Sequence, residues 1–203
     1  MQIRIREAGS DDVEQIRDIF YATYGEHYAY PQYYDIQTLN KLVYSDDTLL
    51  LVAEDTETGT LVGTASVLRD IGAYADLVGE FGRLAVRPEC RGQHVGKRLM
   101  EARLERVQDK LHVGIVENRA AHSFSQRISA AHGFVPVGFV PLKLMLERRE
   151  SIALFVRYFG DALALRRNHP RLIPEAYHLA GMALENCQLQ RDVIVDEESA
   201  AYP

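Results

Sequence analysis

The sequence predicts an α/β protein built on one mixed central sheet of about seven strands, flanked by helices. Three observations predict it. Residues 48–54 (TLLLVAE) are almost continuously apolar, as in a strand covered on both faces. Residues 95–111 place Met100, Leu104, Val107 and Leu111 at helical spacing, with charged side chains between them. The elements run strand, two helices, three strands, helix, strand, helix, two strands, which is not the regular alternation of a parallel sheet.

Each element has a local reason. Ile3 to Arg6 alternates as a half-buried strand does. Ser10 reads as an N-cap, with Asp11 and Asp12 in the first turn and Val13, Ile16, Phe20 and Tyr24 on one helical face. After the tyrosine-dense YATYGEHYAYPQYY, residues 35–44 read as a short helix with Ile36, Leu39, Leu42 and Val43 inward. The turn DTETGT joins the central strand to a returning strand over 61–68. Residues 78–86 (VGEFGRLAV) form the next strand, and Gly79 and Gly82 inside it mark a bulge or a close approach of backbone. The helix over 95–111 leads to a strand at 112–116 and a helix at 120–132 that stops at Gly133. Residues 135–146 and 151–159 are two strands joined at ERRE, and Pro136 and Pro141 place the first of them at an edge or bulge. Beyond Gly160 comes a helical C-terminal extension, with a helix from Pro174 to about Leu189 and RDVIVDE as a last short strand. The chain divides into residues 1–159 and an extension, 160–203, suited to a lid, a dimer contact or a lead into another domain.

Composition narrows the function. The 203 residues carry a net charge of −6, which disfavours a nucleic-acid partner. No apolar run reaches the ~18 residues of a membrane span, and the N-terminus lacks an apolar signal core. Cys90 and Cys187 show no paired spacing, so a cytoplasmic setting is expected. The seven histidines show no ligand spacing, and no metal is expected. Charge is uneven, however. From Arg83 to Arg106 there are seven basic residues, including Arg87, Arg91, Lys97, Arg98 and Arg103, against Glu89, Glu101 and Glu105. A basic stripe on an acidic protein suits a small anionic ligand.

The stripe surrounds VRPECRGQHVGKRLM, in which a strand passes through a proline and a glycine-bearing loop into a helix. The first amides of a helix have no internal partner, and the helix dipole adds partial positive charge, so such a turn binds anions. The mononucleotide phosphate loop is excluded. It requires glycine where Arg91 stands and Ser or Thr where Arg98 stands. No GxGxxG follows any strand.

The segment GRLAVRPECRGQHVGKRLMEARL resembles the acyl-CoA-binding segment of the GNAT superfamily of N-acetyltransferases. Arg91 and Gly96 match the ends of its Arg/Gln-x-x-Gly-x-Gly/Ala loop. The order of elements over residues 1 to about 159 and the Gly-Phe of HGFVPVGF are similar to that family as well. The resemblance implies the GNAT fold with acetyl-CoA or another acyl-CoA as co-substrate. Its pantetheine arm would lie along Leu84, Ala85 and Val86. Its pyrophosphate would sit on the loop formed by Arg91, Gly92, Gln93, His94, Val95, Gly96 and Lys97. An amine acceptor, on a small molecule or a peptide, would attack the thioester directly. A homodimer is compatible with this reading.

Three departures accompany the resemblance. His94 replaces the middle glycine, and the loop is expected to keep its ligand if His94 has negative φ. Ser129 stands where many members have a tyrosine that protonates the leaving thiolate. His122 and Ser125 occupy the stretch where the family carries an asparagine near the cofactor, with Asn118 close in register. The general base is sought at Glu80, which period two places on the face of Gly82 and Leu84, and next at Glu117. Tyr24, His27, Tyr28 and Tyr30 fall where the family builds its acceptor wall. The lost tyrosine also suits a rival, a non-catalytic acyl-CoA-binding sensor or interaction module.

Overall fold

A computed structural model describes residues 1–69, 71–166 and 172–190 of the chain. The strands are β1 (Ile3–Glu7), β2 (Thr48–Asp55), β3 (Thr60–Leu68), β4 (Val78–Val86), β5 (Val113–Arg119), β6 (Val135–Met145) and β7 (Arg149–Tyr158). The helices are α1 (Val13–Tyr24), α2 (Ile36–Val43), α3 (Val95–Val107), α4 (Phe124–Ala131) and α5 (Pro174–Asn186). The seven strands form one sheet in the order β1-β2-β3-β4-β5-β7-β6. Only β4 and β5 run parallel, and α3 makes the crossover that such a pair requires.

The continuous apolar run of β2 has a direct cause. Leu50 and Val52 pack with Ile16, Ile19, Phe20 and Leu39 of α1 and α2. The alternate residues Leu51 and Ala53 pack with Val95, Leu99 and Ala102 of α3. Helices therefore cover both faces, and no position from Leu50 to Ala53 is left for a polar side chain.

Several boundaries differ from the sequence expectation. The helix expected at 120–132 begins only at Phe124, because β7 offers backbone partners to β5 as far as Arg119, and Ala120 N–H donates to Ser151 O at 2.9 Å. Helix α3 ends at Val107 rather than 111. Leu111 leaves the helix but stays buried beside Phe81, Phe134 and Phe159. Helix α5 ends at Asn186, short of Leu189. The expected strand RDVIVDE lies outside the described residues. Pro136 and Pro141 sit on the edge strand β6, at two register shifts against β7.

Ser10 is not the cap of α1. It opens a 3-10 turn; Asp12 holds the N-cap position of α1 without a side-chain cap bond, and its carboxylate accepts Gly9 N–H at 2.7 Å. Arg6 of β1 grips the same carboxylate with two bonds of 2.6 and 2.8 Å, and its Nε donates to Glu54 of β2 at 2.6 Å. One carboxylate thus ties the helix start to the sheet edge. The Arg6 bonds hold Asp12 below its ordinary range against the opposing effect of burial, and Gly9 N–H helps. A depressed acid contributes stability above its unfolded pKa and loses it as pH falls through the folded value. Asp12→Asn should therefore lower the unfolding free energy at pH 7 by about 1–3 kcal/mol. In urea titrations the gap from wild type should close as pH falls below ~4.

Candidate active site

The site exists because β4 and β5 part company. They pair only at Val78–Val113, Gly79–Gly114 and Glu80–Ile115. Beyond Glu80, β5 continues along β7, while β4 stays with β3 through a register shift between Thr64 and Ser66. The irregularity falls at Arg83–Leu84, between Gly82 and Ala85, and Arg83 takes φ +55°. Such a bulge bends a strand and re-aims its side chains. The result is a cleft of about 830 Å³, its open mouth included, in the fork of the two strands.

Glu80 to Leu84 line one wall, and Val116 to Arg119 of β5 line the other. Helix α4 and the residues before it supply His122, Ser125, Ile128 and Ser129. Tyr24, Tyr28 and Tyr30 close one end, and Leu144 and Leu146 reach in from the β6 side. Of the residues singled out in the sequence, the cleft gathers Glu80, Leu84, Glu117, Asn118, His122, Ser125, Ser129 and the three tyrosines, and none of Arg91 to Lys97 lines it. His27 is exposed and does not line the cleft. Ala85 is buried in the core and Val86 is half-buried, both just beyond the lining.

The loop from Arg91 to His94 is exposed, and Val95 opens α3 as a buried anchor. Among the described residues, none of the backbone N–H groups from Gly92 to Gly96 donates within the protein. His94 is the N-cap of α3, with φ +60° and ψ 13°, so the expected negative φ is not found. This is the left-handed region that glycine enters freely and that other residues enter at a cost. The amide survives and the ring is exposed, so the substitution adds strain without filling the loop. Gly96 also has a packing reason to be small. A Cβ there would stand 3.2 Å from Ile128 Cδ1 and 3.6 Å from Leu84 Cδ2, both cleft residues. Its smallness lets the start of α3 close on the cleft wall.

The basic stripe does not survive folding as a stripe. Arg87 Nε is spent on Leu61 O at 2.8 Å, and Arg98 on Ile3 O at 2.8 Å. Arg103 is 1% exposed rather than on a solvated helix face. It donates to Ser66 O at 3.1 Å and Gly82 O at 3.2 Å, one carbonyl from each strand at the bulge. Burial alone pulls its guanidinium down to about 9, so it is still charged at neutral pH.

Most charges in the cleft are paired. Glu80 is ion-paired to Arg83, Glu117 to Lys143, and Arg119 to Glu150 at 2.6 Å. Burial, seconded by the charge of Arg119, pulls His122 down. Burial pushes the Tyr28 phenol well up, so it stays protonated. Ser129 Oγ donates to Asn118 Oδ1 at 3.2 Å, and both residues are 1% exposed. Among the described residues, seven buried side-chain polar atoms lack any hydrogen-bond partner. Five of them belong to this cleft, on Arg83, Arg103, Asn118, His122 and Ser125.

The buried roles of Arg83, Arg103 and Asn118 were the residues that sequence reasoning missed. Arg83 and Arg103 resemble surface cations in any local window, and Asn118, noted only as close in register, stands on β5 four residues before His122. The only signal for Arg103 was its place three residues after Met100 and one before Leu104, on the apolar side of α3.

The strained cap yields a direct expectation. His94→Gly should be neutral or stabilising by up to about 1 kcal/mol, because glycine occupies positive φ without a Cβ clash. His94→Val should destabilise by more than that, since β-branched residues tolerate this region least. Thermal unfolding of the pair measures both.

An IAA acetyltransferase from Azospirillum brasilense is 32% identical over 126 residues, covering 56% of this chain and 73% of that protein. The structure is similar to a GNAT superfamily phosphinothricin acetyltransferase from Sinorhizobium meliloti in complex with AcCoA, with TM-score 0.69 and 20% identity over 86% of this chain and 97% of that one. It is also similar to the spermidine/spermine N-acetyltransferase SpeG from Vibrio cholerae, solved in mutant forms, with TM-score 0.62 and 17% identity over 82% of this chain and 100% of that one. At these identities the structural likeness speaks for the fold alone. A sequence model of the acetyltransferase (GNAT) family matches residues 13–130, more than half of the chain, and the chain belongs to that family.

Proposed function

We propose that the chain is an acyl-CoA-dependent N-acyltransferase in which an amine attacks the thioester directly, in a ternary complex. The observation that carries this reading is the convergence of five unpartnered buried polar atoms on one cleft. A buried polar group left unpaired costs about 1–3 kcal/mol, so such a cleft is completed by a polar ligand.

The ligand would enter as follows. Past Glu80 the cleft edge of β4 has no neighbouring strand. Its backbone groups from Leu84 to Val86 can bond the amides of a pantetheine arm, as an added strand would. Asn118 Nδ2, His122 Nδ1 and Ser125 Oγ face the same ligand from the opposite wall. The free amides of Gly92 to Gly96 and the start of α3 take the pyrophosphate, with Arg91 and Lys97 adding charge. The tyrosine end, Tyr24, Tyr28 and Tyr30, is left for the acceptor. Glu80 is the base once its ion pair opens. The transferase unit in this reading is residues 1–159. Within the extension, α5 buttresses β6 through Asn186 Nδ2 to Pro136 O at 2.8 Å, behind the strand that carries Leu144.

One observation favours the second reading, a non-catalytic acyl-CoA sensor. The Ser129 hydroxyl donates to Asn118, which leaves its proton turned to that side chain rather than offered to a departing thiolate. The enzyme reading absorbs this, because a thiol of pKa ~8.5 leaves as a thiolate near neutrality without help.

Calorimetric titration with acetyl-CoA, free CoA and a longer acyl-CoA tests the shared core. Micromolar binding is expected, and no binding at millimolar ligand would overturn both readings. Release of free CoA thiol on adding primary amines selects the enzyme, whereas a bound thioester that is never consumed selects the sensor. Ser125→Ala should weaken acyl-CoA binding by about tenfold, the value of one buried hydrogen bond, without lowering the melting temperature.

A further inference from the structure

We propose that the acceptor is an α-amino acid held by its carboxylate on the guanidinium of Arg83. The proposal rests on the acyltransferase reading and specifies its substrate. Arg83 stands at the bulge of β4 and lines the cleft together with its neighbours Gly82 and Leu84. Its side chain is only 9% exposed. Tyr30 covers one face of the guanidinium, with its ring centroid 4.0 Å away. One edge meets Glu80, and Nε is buried with no partner. A flat guanidinium, fixed by stacking and with an unused donor, matches the planar two-point geometry of a carboxylate.

The charge inventory selects an anion over a cation. The carboxylates lining the cleft are Glu80 and Glu117, and both already hold a cation. Arg119 is balanced by Glu150. Arg103 faces the same cleft with a buried, unpartnered Nε, and its partners are two carbonyls and the Met100 sulfur. The cleft therefore carries one buried positive charge without a counterion, which an entering carboxylate balances. A polyamine would find no unpaired carboxylate, and the Tyr30 face that could receive its ammonium already holds Arg83.

Binding also prepares the chemistry. The acceptor carboxylate replaces Glu80 on Arg83, and Glu80 turns free beside the acceptor ammonium. Glu80 takes one proton from the ammonium. The neutral nitrogen attacks the thioester carbon, the N–C bond forms and the C–S bond breaks. CoA leaves as its thiolate and receives the second amine proton through water. The base is thus released by the substrate it serves.

The test compares the twenty common L-amino acids with their matched carboxamides and with spermidine, each against acetyl-CoA. The best amino acid should exceed its own amide by about 100-fold or more in kcat/KM, the discrimination of a site built around a charged hydrogen bond. In Arg83→Met the preference should collapse to within about tenfold, through KM more than kcat, while Arg83→Lys retains part of it. Calorimetry with free CoA bound reads the same preference without chemistry. It keeps the test valid if a variant misfolds or turnover is slow. Amides or spermidine accepted as well as amino acids, no amino acid bound in preference to its amide, or a preference that survives in Arg83→Met would each overturn the proposal while leaving the acyltransferase reading intact. Failure of acyl-CoA itself to bind would remove that reading, and this proposal with it.

Discussion

A strand cannot keep full register with two neighbours that diverge, and the site follows from that constraint on β4. Its loyalty is to β3, with which it pairs from Gly63–Val86 to Leu68–Glu80 through one slip. β5 is held instead by β7 along its whole length, from Val113 to Arg119. The three parallel pairs at the base are all the two strands can share. Arg103 pins β4 to β3 at the slip by bonding Ser66 O of β3 and Gly82 O of β4. The helices, the loop and the tyrosine wall take their places around a fork that the ladder itself opens.

The fork also explains why charge is buried here at all. Moving an ion out of water is expensive unless a partner is at hand. The cleft meets this mainly by pairing, with Glu80 against Arg83, Glu117 against Lys143 and Arg119 against Glu150. The first pair closes across the bulge of β4, and the other two tie β5 to β6 and to β7. The tyrosines complete the arrangement. Arg83 lies over Tyr30, and Arg119 stands 5.9 Å from the ring centre of Tyr24, so aromatic faces shield the guanidiniums from water.

What was legible in the sequence was what short-range pattern encodes. The apolar run of β2 announced a doubly covered strand, and the spacing of Met100, Leu104 and Val107 announced α3. Pro136 and Pro141 announced an edge. The loop at Arg91–Gly96 announced a turn into a helix start. What stayed hidden depends on partners far along the chain. Arg103 reads as a surface cation until Ser66, 37 residues away, is folded against it. Helix α4 starts late because β7, some 30 residues on, extends β5. The positive φ of His94 is a choice of backbone made by the turn, and histidine gives no warning of it.

The edge strand β6 has a consequence for the protein's behaviour in concentrated solution. It displays Phe139, Val140, Leu142 and Met145 to solvent, a composition that invites a second copy to add a strand alongside. Pro136 and Pro141 each remove a backbone donor from the strand, and Leu142 kinks it with φ +54° inside the second register shift. A neighbouring chain meets a ladder broken every few residues, with Lys143 standing in the break. Sequence features that look like defects in a strand act here as a guard against fibrous assembly.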